Sequence, residues 1–150
     1  MANVNLNNFC QATGRLVRDP KVFPEHRDGS KAAVFTLAVP DTYTDANGER
    51  VVDYLDFDVF IPKPAADGTK SYMARMIELI SKGTQVRVTY RRKNNHYIDK
   101  NDVEQYGDKN KVDEIFIYDS RAVRDARKAA AAAAVVDEPE AAEETEKKPF

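Results

Sequence analysis

Two aromatic side chains, Tyr54 and Phe60, offer the clearest chemistry in the sequence. They lie in the stretch 50–63, R-V-V-D-Y-L-D-F-D-V-F-I-P-K, where residues alternate as in a β-strand with one buried face. The alternation predicts a core side with Leu55, Phe57, Val59 and Ile61, and an outer side with Tyr54, Asp56, Asp58 and Phe60. Exposed rings suit stacking on flat ligands such as nucleobases. Packing against a second layer or a partner subunit would use the same rings, and this strand favours neither role.

Length and composition limit the classes of protein that fit. A chain of 150 residues favours one domain with a tail. The single cysteine, Cys10, excludes an internal disulfide framework, and His26 and His96 lack partner cysteines for a zinc pattern. No apolar run has membrane-spanning length, and the N-terminus has no signal-peptide pattern. We therefore expect a cytoplasmic protein with no cofactor and no membrane partner.

Charge is divided along the chain, although the net formal charge is only -2. Residues 1–120 hold 17 basic and 18 acidic side chains, whereas residues 121–128 hold four basic and one acidic. Residues 137–146 hold six acidic side chains and no basic one. Because the body is not globally basic, affinity for nucleic acid would have to come from a local basic groove and from stacking.

Five strands and one helix are predicted to position the rings. Gly14 indicates a bulge or sharp bend in the first strand. Asn47-Gly48 predicts the hairpin turn before the third strand. The helix is expected to begin after the cap Ser71 and to end at Gly83. The predicted strands are 9–18, 32–39 closed by Pro40, 50–61, 84–93 and 112–118, with 103–107 as a returning hairpin arm.

This order, with the helix between strands three and four, predicts an all-β, five-stranded OB-fold barrel. An unspecified small β barrel capped by one helix is the alternative. We expect residues 1–120 to form this domain. Residues 121–136 would be a basic, Ala-rich linker, helical at least part of the time, and 137–150 a disordered acidic tail.

Several short motifs follow one another at characteristic spacing. They are G-R-L-V-R-D-P at 14–20, F-T-L-A-V at 35–39, Tyr43, D-Y at 53–54, D-V-F at 58–60 and K-G-T-Q-V-R-V at 82–88. Each motif is weak alone, but their order and spacing are specific. Over residues 8–120 the chain resembles bacterial and phage single-stranded DNA-binding proteins (SSBs).

The resemblance implies that a single strand wraps over the barrel and stacks its bases on aromatic side chains. The matching positions are Tyr43, Tyr54, Phe60 and Tyr97. Such stacking is worth about 1–3 kcal/mol per base and hardly distinguishes sequence. Phosphate contacts are expected from basic residues beside the rings, namely Lys31, Arg50, Lys63, Arg87, Arg91, Arg92 and Lys93.

Two features depart from the family pattern. Asp56 stands where the family tends to place a basic residue, and Asp58 follows on the same face. Two carboxylates there would repel phosphate, so the DNA would skirt this patch or bind less tightly. The loop 62–70 is also longer than usual. The resemblance further implies a homotetramer.

The tail matches the family in its layout and its last two residues. SSB tails end in a short tip that docks into enzymes of replication and repair, and Pro149 and Phe150 match that ending. A terminal Phe carboxylate is a suitable anchor for a basic pocket. Lys147 and Lys148 stand where acids are usual.

The favoured hypothesis is a non-catalytic, nucleoid-associated protein that coats single-stranded DNA during replication, recombination and repair and recruits partners. An OB-fold protein for RNA is one alternative. An adaptor whose barrel has lost DNA binding is another. An enzyme is not expected, because the residues offer no nucleophile with a base, no metal cluster and no phosphate-cradling glycine loop.

Overall fold

The computed structural model describes residues 5–136, in which strands dominate. In chain order the elements are β1 (Cys10–Leu16), β2 (Lys21–Val22), β3 (Lys31–Thr44), β4 (Arg50–Ile61), α1 (Tyr72–Leu79), β5 (Gln85–Ile98), β6 (Glu104–Ile117) and α2 (Arg121–Val136).

The five long strands close into a barrel. β5 pairs antiparallel with β1 and with β6, and β4 pairs antiparallel with β3. β6 and β4 meet in a short parallel contact at Asp58 and Lys111. The circle closes where Arg15 and Leu16 of β1 pair with β3, to which β2 adds a short pairing. A mostly β chain with a closed five-stranded barrel and two helices is consistent with the OB-fold.

Gly14 lies where β1 passes from one neighbouring strand to the other. The register of β1 with β5 is continuous from Cys10 to Arg15, so β1 has no bulge at Gly14. A Cβ atom at Gly14 would collide with the backbone oxygen of Ala38 in β3. The glycine in the first strand is therefore explained by a close approach of two backbones, which a side chain would prevent, and not by the predicted bulge.

The strand boundaries on both long hairpins differ from the prediction. β3 does not end at Pro40 but continues to Thr44, with a register shift after Pro40 that accommodates the proline. The segments predicted at 103–107 and 112–118 are one strand, β6, and its partner β5 extends to Ile98 instead of ending at Lys93. The outer half of this hairpin is mostly polar, so it lacks the alternation of apolar residues on which the prediction relied.

Helix α1 begins where its cap predicts and ends earlier than expected. The Ser71 hydroxyl accepts a hydrogen bond from the Ala74 N–H at 3.3 Å, and Met73 and Ile77 are buried. The helix ends at Leu79, where extended backbone at Ile80 stops it. Gly83 belongs to the following turn, where its φ is +86° and its N–H donates to the Leu16 carbonyl at 2.8 Å.

The core lies inside the barrel and determines which side chains of β4 face outward. The rings of Phe35 and Phe57 stack with centroids 5.4 Å apart, and Tyr90 meets Phe57 edge-on at 4.9 Å. Val59 and Ile61 are buried on the same side of β4. Since side chains alternate along a strand, Tyr54, Asp56, Asp58 and Phe60 must point outward.

The chain divides between Tyr118 and Asp119 into two compact units. In the second unit, α2 begins after Ser120, whose hydroxyl accepts a hydrogen bond from the Val123 N–H at 3.3 Å. The alanine run has the highest intrinsic helix propensity, which accounts for the helix over the predicted linker. Neither α1 nor α2 is long and apolar enough to cross a membrane. The predicted disordered tail and its tip, Pro149 and Phe150, lie outside the described residues.

Candidate nucleic-acid interface

The outer face of β4 presents the two rings from which the sequence argument started. The predicted alternation is confirmed, because Phe57, Val59 and Ile61 are buried whereas Tyr54 and Phe60 are 67% and 49% exposed. The other two ring candidates are also exposed, Tyr43 near the end of β3 and Tyr97 near the end of β5. All four rings are therefore accessible to a ligand, and their role in stacking stays a prediction.

A groove of about 420 Å³ lies beside Phe60 and is rich in lysine. Lys93 of β5 and Lys109 of β6 are cross-strand partners, and Lys111 of β6 pairs with Arg91 of β5 and with Asp58 of β4. Lys93, Lys109 and Lys111 all line the groove. Among residues 5–136, no ion pair engages any of these three lysines. Their ammonium groups are thus available to phosphate oxygens.

The lysines repel one another in the absence of an anion. Burial, together with the positive charges of Lys93 and Arg91, lowers the pKa of Lys111 below its ordinary value, while Asp113 acts in the opposite direction. A bound phosphate would relieve this repulsion, because it would place a negative charge among the cations. One carboxylate, Asp58, also lines the groove, so its three lysines leave a net positive charge that favours an anion.

Lys109 and Lys111 were missed by the sequence reasoning, which proposed only Lys93 of this group. They alternate along β6 and so share one face. The K-N-K spacing at 109–111 would have indicated this if the segment had been recognised as a strand. Their proximity to Phe60 depends on the pairing of β6 with β4, for which the sequence offers no local pattern.

Three of the predicted phosphate ligands already have partners in the structure. Arg91 pairs with Asp113 at 3.2 Å, and Arg92 pairs with Asp108 at 2.9 Å. Arg92 also donates to the side-chain oxygen of Asn110 at 3.1 Å. The guanidinium of Arg87 lies over the ring of Phe116, 5.0 Å from its centroid. These contacts make the three arginines weaker candidates for phosphate binding than the lysines of the groove.

The remaining phosphate candidates, Lys31, Arg50 and Lys63, are exposed and lie outside the groove. Lys31 lines a separate cleft beside α1 that also holds Glu25 and Glu78. Arg50 begins β4 opposite Thr44, one residue from Tyr43. The structure therefore brings only Lys93 of the predicted basic set together with Phe60.

The two carboxylates that depart from the family pattern are placed beside cations. The Thr36 hydroxyl donates to the carboxylate of Asp56, and Arg18 donates to the same hydroxyl at 3.4 Å. Arg18 and Lys21 line one cleft with Asp19, Asp56 and Asp58. Two positive charges offset part of the charge of the three carboxylates, which lessens but does not remove the repulsion of phosphate expected from the sequence.

Comparison with known proteins supports the resemblance seen in the sequence. The chain is 37% identical over 68 residues to "Single-stranded DNA-binding protein 2" of Staphylococcus aureus strain COL. The matched region covers 45% of this chain and 47% of that protein. The chain is also 40% identical over 62 residues to "Single-stranded DNA-binding protein 1" of Staphylococcus aureus strain MSSA476. That matched region covers 41% of this chain and 38% of that protein. The chain thus spans about half or less of the length of these relatives. No family model matches the chain. The expected resemblance to single-stranded DNA-binding proteins is confirmed by these relatives.

Proposed function

We propose that this chain binds single-stranded DNA without sequence preference. The observation that carries the proposal is the lysine groove beside Phe60, on the outer face of a barrel whose exposed rings include Tyr54. Rings supply stacking on any base, and the lysines supply attraction to any phosphate. The relatives, named as single-stranded DNA-binding proteins, support the same function.

The arrangement of the site supports one path for the strand. Tyr97 and Lys93 lie on one face of β5, four residues apart, which corresponds to about 13 Å along a strand. We infer that the DNA passes over Tyr54 and Phe60 on β4, crosses the lysines and continues along the hairpin toward Tyr97. Tyr43 would extend the path at the other end of the barrel surface.

A titration with oligo-dT tests the proposal. The chain has seven tyrosines and no tryptophan, so tyrosine fluorescence reports on stacking. We expect saturating quenching that is much weaker with duplex DNA and only partly lost at raised salt. Equal or tighter binding to RNA than to DNA of the same sequence would favour the RNA-binding alternative. Absence of quenching and of any oligonucleotide shift in a separate assay would favour the adaptor.

We also infer self-association, as in the homotetramer that the resemblance implies. One sheet face of β1, β5 and β6 exposes Phe116 and Tyr118 with Arg87 stacked over them. Exposed aromatic residues with arginine are typical of protein interfaces. Sedimentation analysis of Phe116→Asp should show a smaller species than the unaltered chain, and an unchanged mass would place the interface elsewhere.

The wider role follows from the same proposal. A protein that coats single strands without catalysis would protect them during replication, recombination and repair on the nucleoid. Partner recruitment would fall to the tip, Pro149 and Phe150. Removal of these two residues should abolish binding to partner enzymes and leave oligo-dT binding intact, and loss of both activities would contradict this division of roles.

A further inference from the structure

Phe23 lies in the same row of outward residues as Phe60. Lys21 and Val22 of β2 pair with Val34 and Ala33 of β3, and the Phe23 N–H donates to the Ala32 carbonyl at 2.9 Å. Ala32 in turn is the cross-strand partner of Phe60. Ala33 is fully buried, so its neighbour Ala32 and the residues beside it, Phe23 and Phe60, lie on the outer side.

The row has a large residue at each end and a small one in the middle. Adjacent strands are about 4.8 Å apart, so the backbones at Phe23 and Phe60 are separated by roughly 10 Å. A base stacked on both sides needs ring planes about 7 Å apart, twice the roughly 3.4 Å repeat of stacked bases. The two rings would meet this requirement by leaning slightly inward over Ala32 when a base binds. Both rings line the groove.

The charges around the row favour a nucleotide over an apolar ligand. Lys93, Lys109 and Lys111 line the groove that contains both rings, against a single carboxylate, Asp58. Burial and the neighbouring charges of Lys93 and Arg91 lower the pKa of Lys111, so an anion bound in the groove would stabilise its charged form. On the far side, the ammonium of Lys21 lies 5.1 Å from the centroid of the Phe23 ring and helps to hold it in place.

We propose that Phe23 and Phe60 are the two walls of a slot that holds one base of the single strand, with Ala32 as its floor. The lysines bind the phosphates that flank this base. This inference rests on the proposed function and adds a base contact, Phe23, to it.

The absence of tryptophan allows a direct test. F23W places the sole indole of the chain in the slot, whereas F9W places it at a similarly exposed site outside the groove. During titration with oligo-dT, the indole emission of F23W should be quenched in step with the tyrosine signal of the unaltered chain. The emission of F9W should stay nearly constant.

The outcomes separate the slot from the proposed function. Tyrosine quenching in the unaltered chain with constant indole emission in F23W would overturn the slot and leave single-strand binding standing. Absence of tyrosine quenching, with no oligonucleotide shift, would refute the proposed function and the slot with it. Quenching of F9W equal to that of F23W would also overturn the slot, because the signal would not be specific to this position.

Affinity measurements supply a second test that is independent of the indole. Phe23→Ala should weaken oligo-dT binding by about 5-fold to 150-fold, the range of one stacking contact, and Phe23→Tyr should retain binding. Ala32→Leu keeps both rings but fills the floor, so it should weaken binding to a similar extent. Circular dichroism must show a folded barrel for each variant. Unchanged affinity in folded Phe23→Ala would refute the slot.

Discussion

Replacement of Lys109 and Lys111 by glutamine should reduce the salt dependence of single-strand binding. The two lysines line the groove beside Phe60, and no ion pair within residues 5–136 engages them. Glutamine keeps the inner part of the aliphatic stem and a polar end, and it removes the charge. The variant therefore tests the phosphate contacts with little change in packing.

The size of the effect follows from counterion release. Each phosphate neutralised on a single strand contributes about 0.7 to the slope of log K against log salt. Two lost contacts should lower the slope by about 1.4, which corresponds to about 25-fold weaker binding at 0.1 M salt. The difference between the variant and the unaltered chain should vanish as the salt concentration approaches 1 M.

The assay is an oligo-dT titration at several salt concentrations. Lys70→Gln with Lys82→Gln is the control, because it removes the same charge on the two sides of α1, outside the groove. It also breaks the exposed ion pair of Lys70 with Glu78, so circular dichroism must show that the control variant is folded. Its slope should stay close to that of the unaltered chain. The reasoning would be refuted by an unchanged slope in the Lys109 and Lys111 variant, or by an equal decrease in the control, which would indicate bulk charge.

Three further predictions concern the ring on β4, the closure of the barrel and the half-buried Lys111. Tyr54→Ala should weaken oligo-dT binding by about 1–3 kcal/mol without changing the melting temperature, since the ring is exposed; unchanged affinity would assign it to a subunit contact. Gly14→Ala should lower the free energy of unfolding by about 1–3 kcal/mol or more because its Cβ meets the Ala38 oxygen, whereas Gly107→Ala, with its nearest heavy atom at 4.0 Å, should have little effect. Urea unfolding of the two glycine variants measures these losses of stability, and equal losses would contradict the close approach of the two backbones. Lys111→Met should weaken DNA binding but stabilise the fold slightly. Because the pKa of Lys111 is lowered in the folded state, the unfolded chain binds more protons between that pKa and 10.5. In that window the free energy of unfolding of the unaltered chain should therefore rise with pH relative to that of Lys111→Met. Parallel profiles of unfolding free energy against pH for the two proteins would disprove this prediction.

The inner half of the barrel was predictable because its strands alternate strictly. Leu55 to Ile61 contain four apolar residues at every second position, and one face of β4 must be buried to satisfy them. The exposure of Tyr54 and Phe60 follows from the same rule. The start of α1 was predictable for a similar reason, since the Ser71 cap is a local interaction.

The outer half of the β5–β6 hairpin was not predictable in the same way. Residues 91–98 and 104–111 are mostly polar on both faces, so their strand pairing leaves no hydrophobic period. These strands are stabilised by continuous backbone pairing with each other. The prediction consequently ended β5 at Lys93 and missed the segment that carries Lys109 and Lys111.

The sequence by itself determined the local properties of this protein: the five-stranded order, the outward rings of β4 and the motifs shared with single-stranded DNA-binding proteins. The tertiary structure alone decided which of these residues are neighbours. Phe23, Ala32 and Phe60 form one row, and Lys111 lies next to Asp58, because β2, β3, β4 and β6 are adjacent in the barrel. The physical reason is that hydrophobic alternation specifies the face of a strand, whereas the partners of that strand depend on how the whole chain closes around its core.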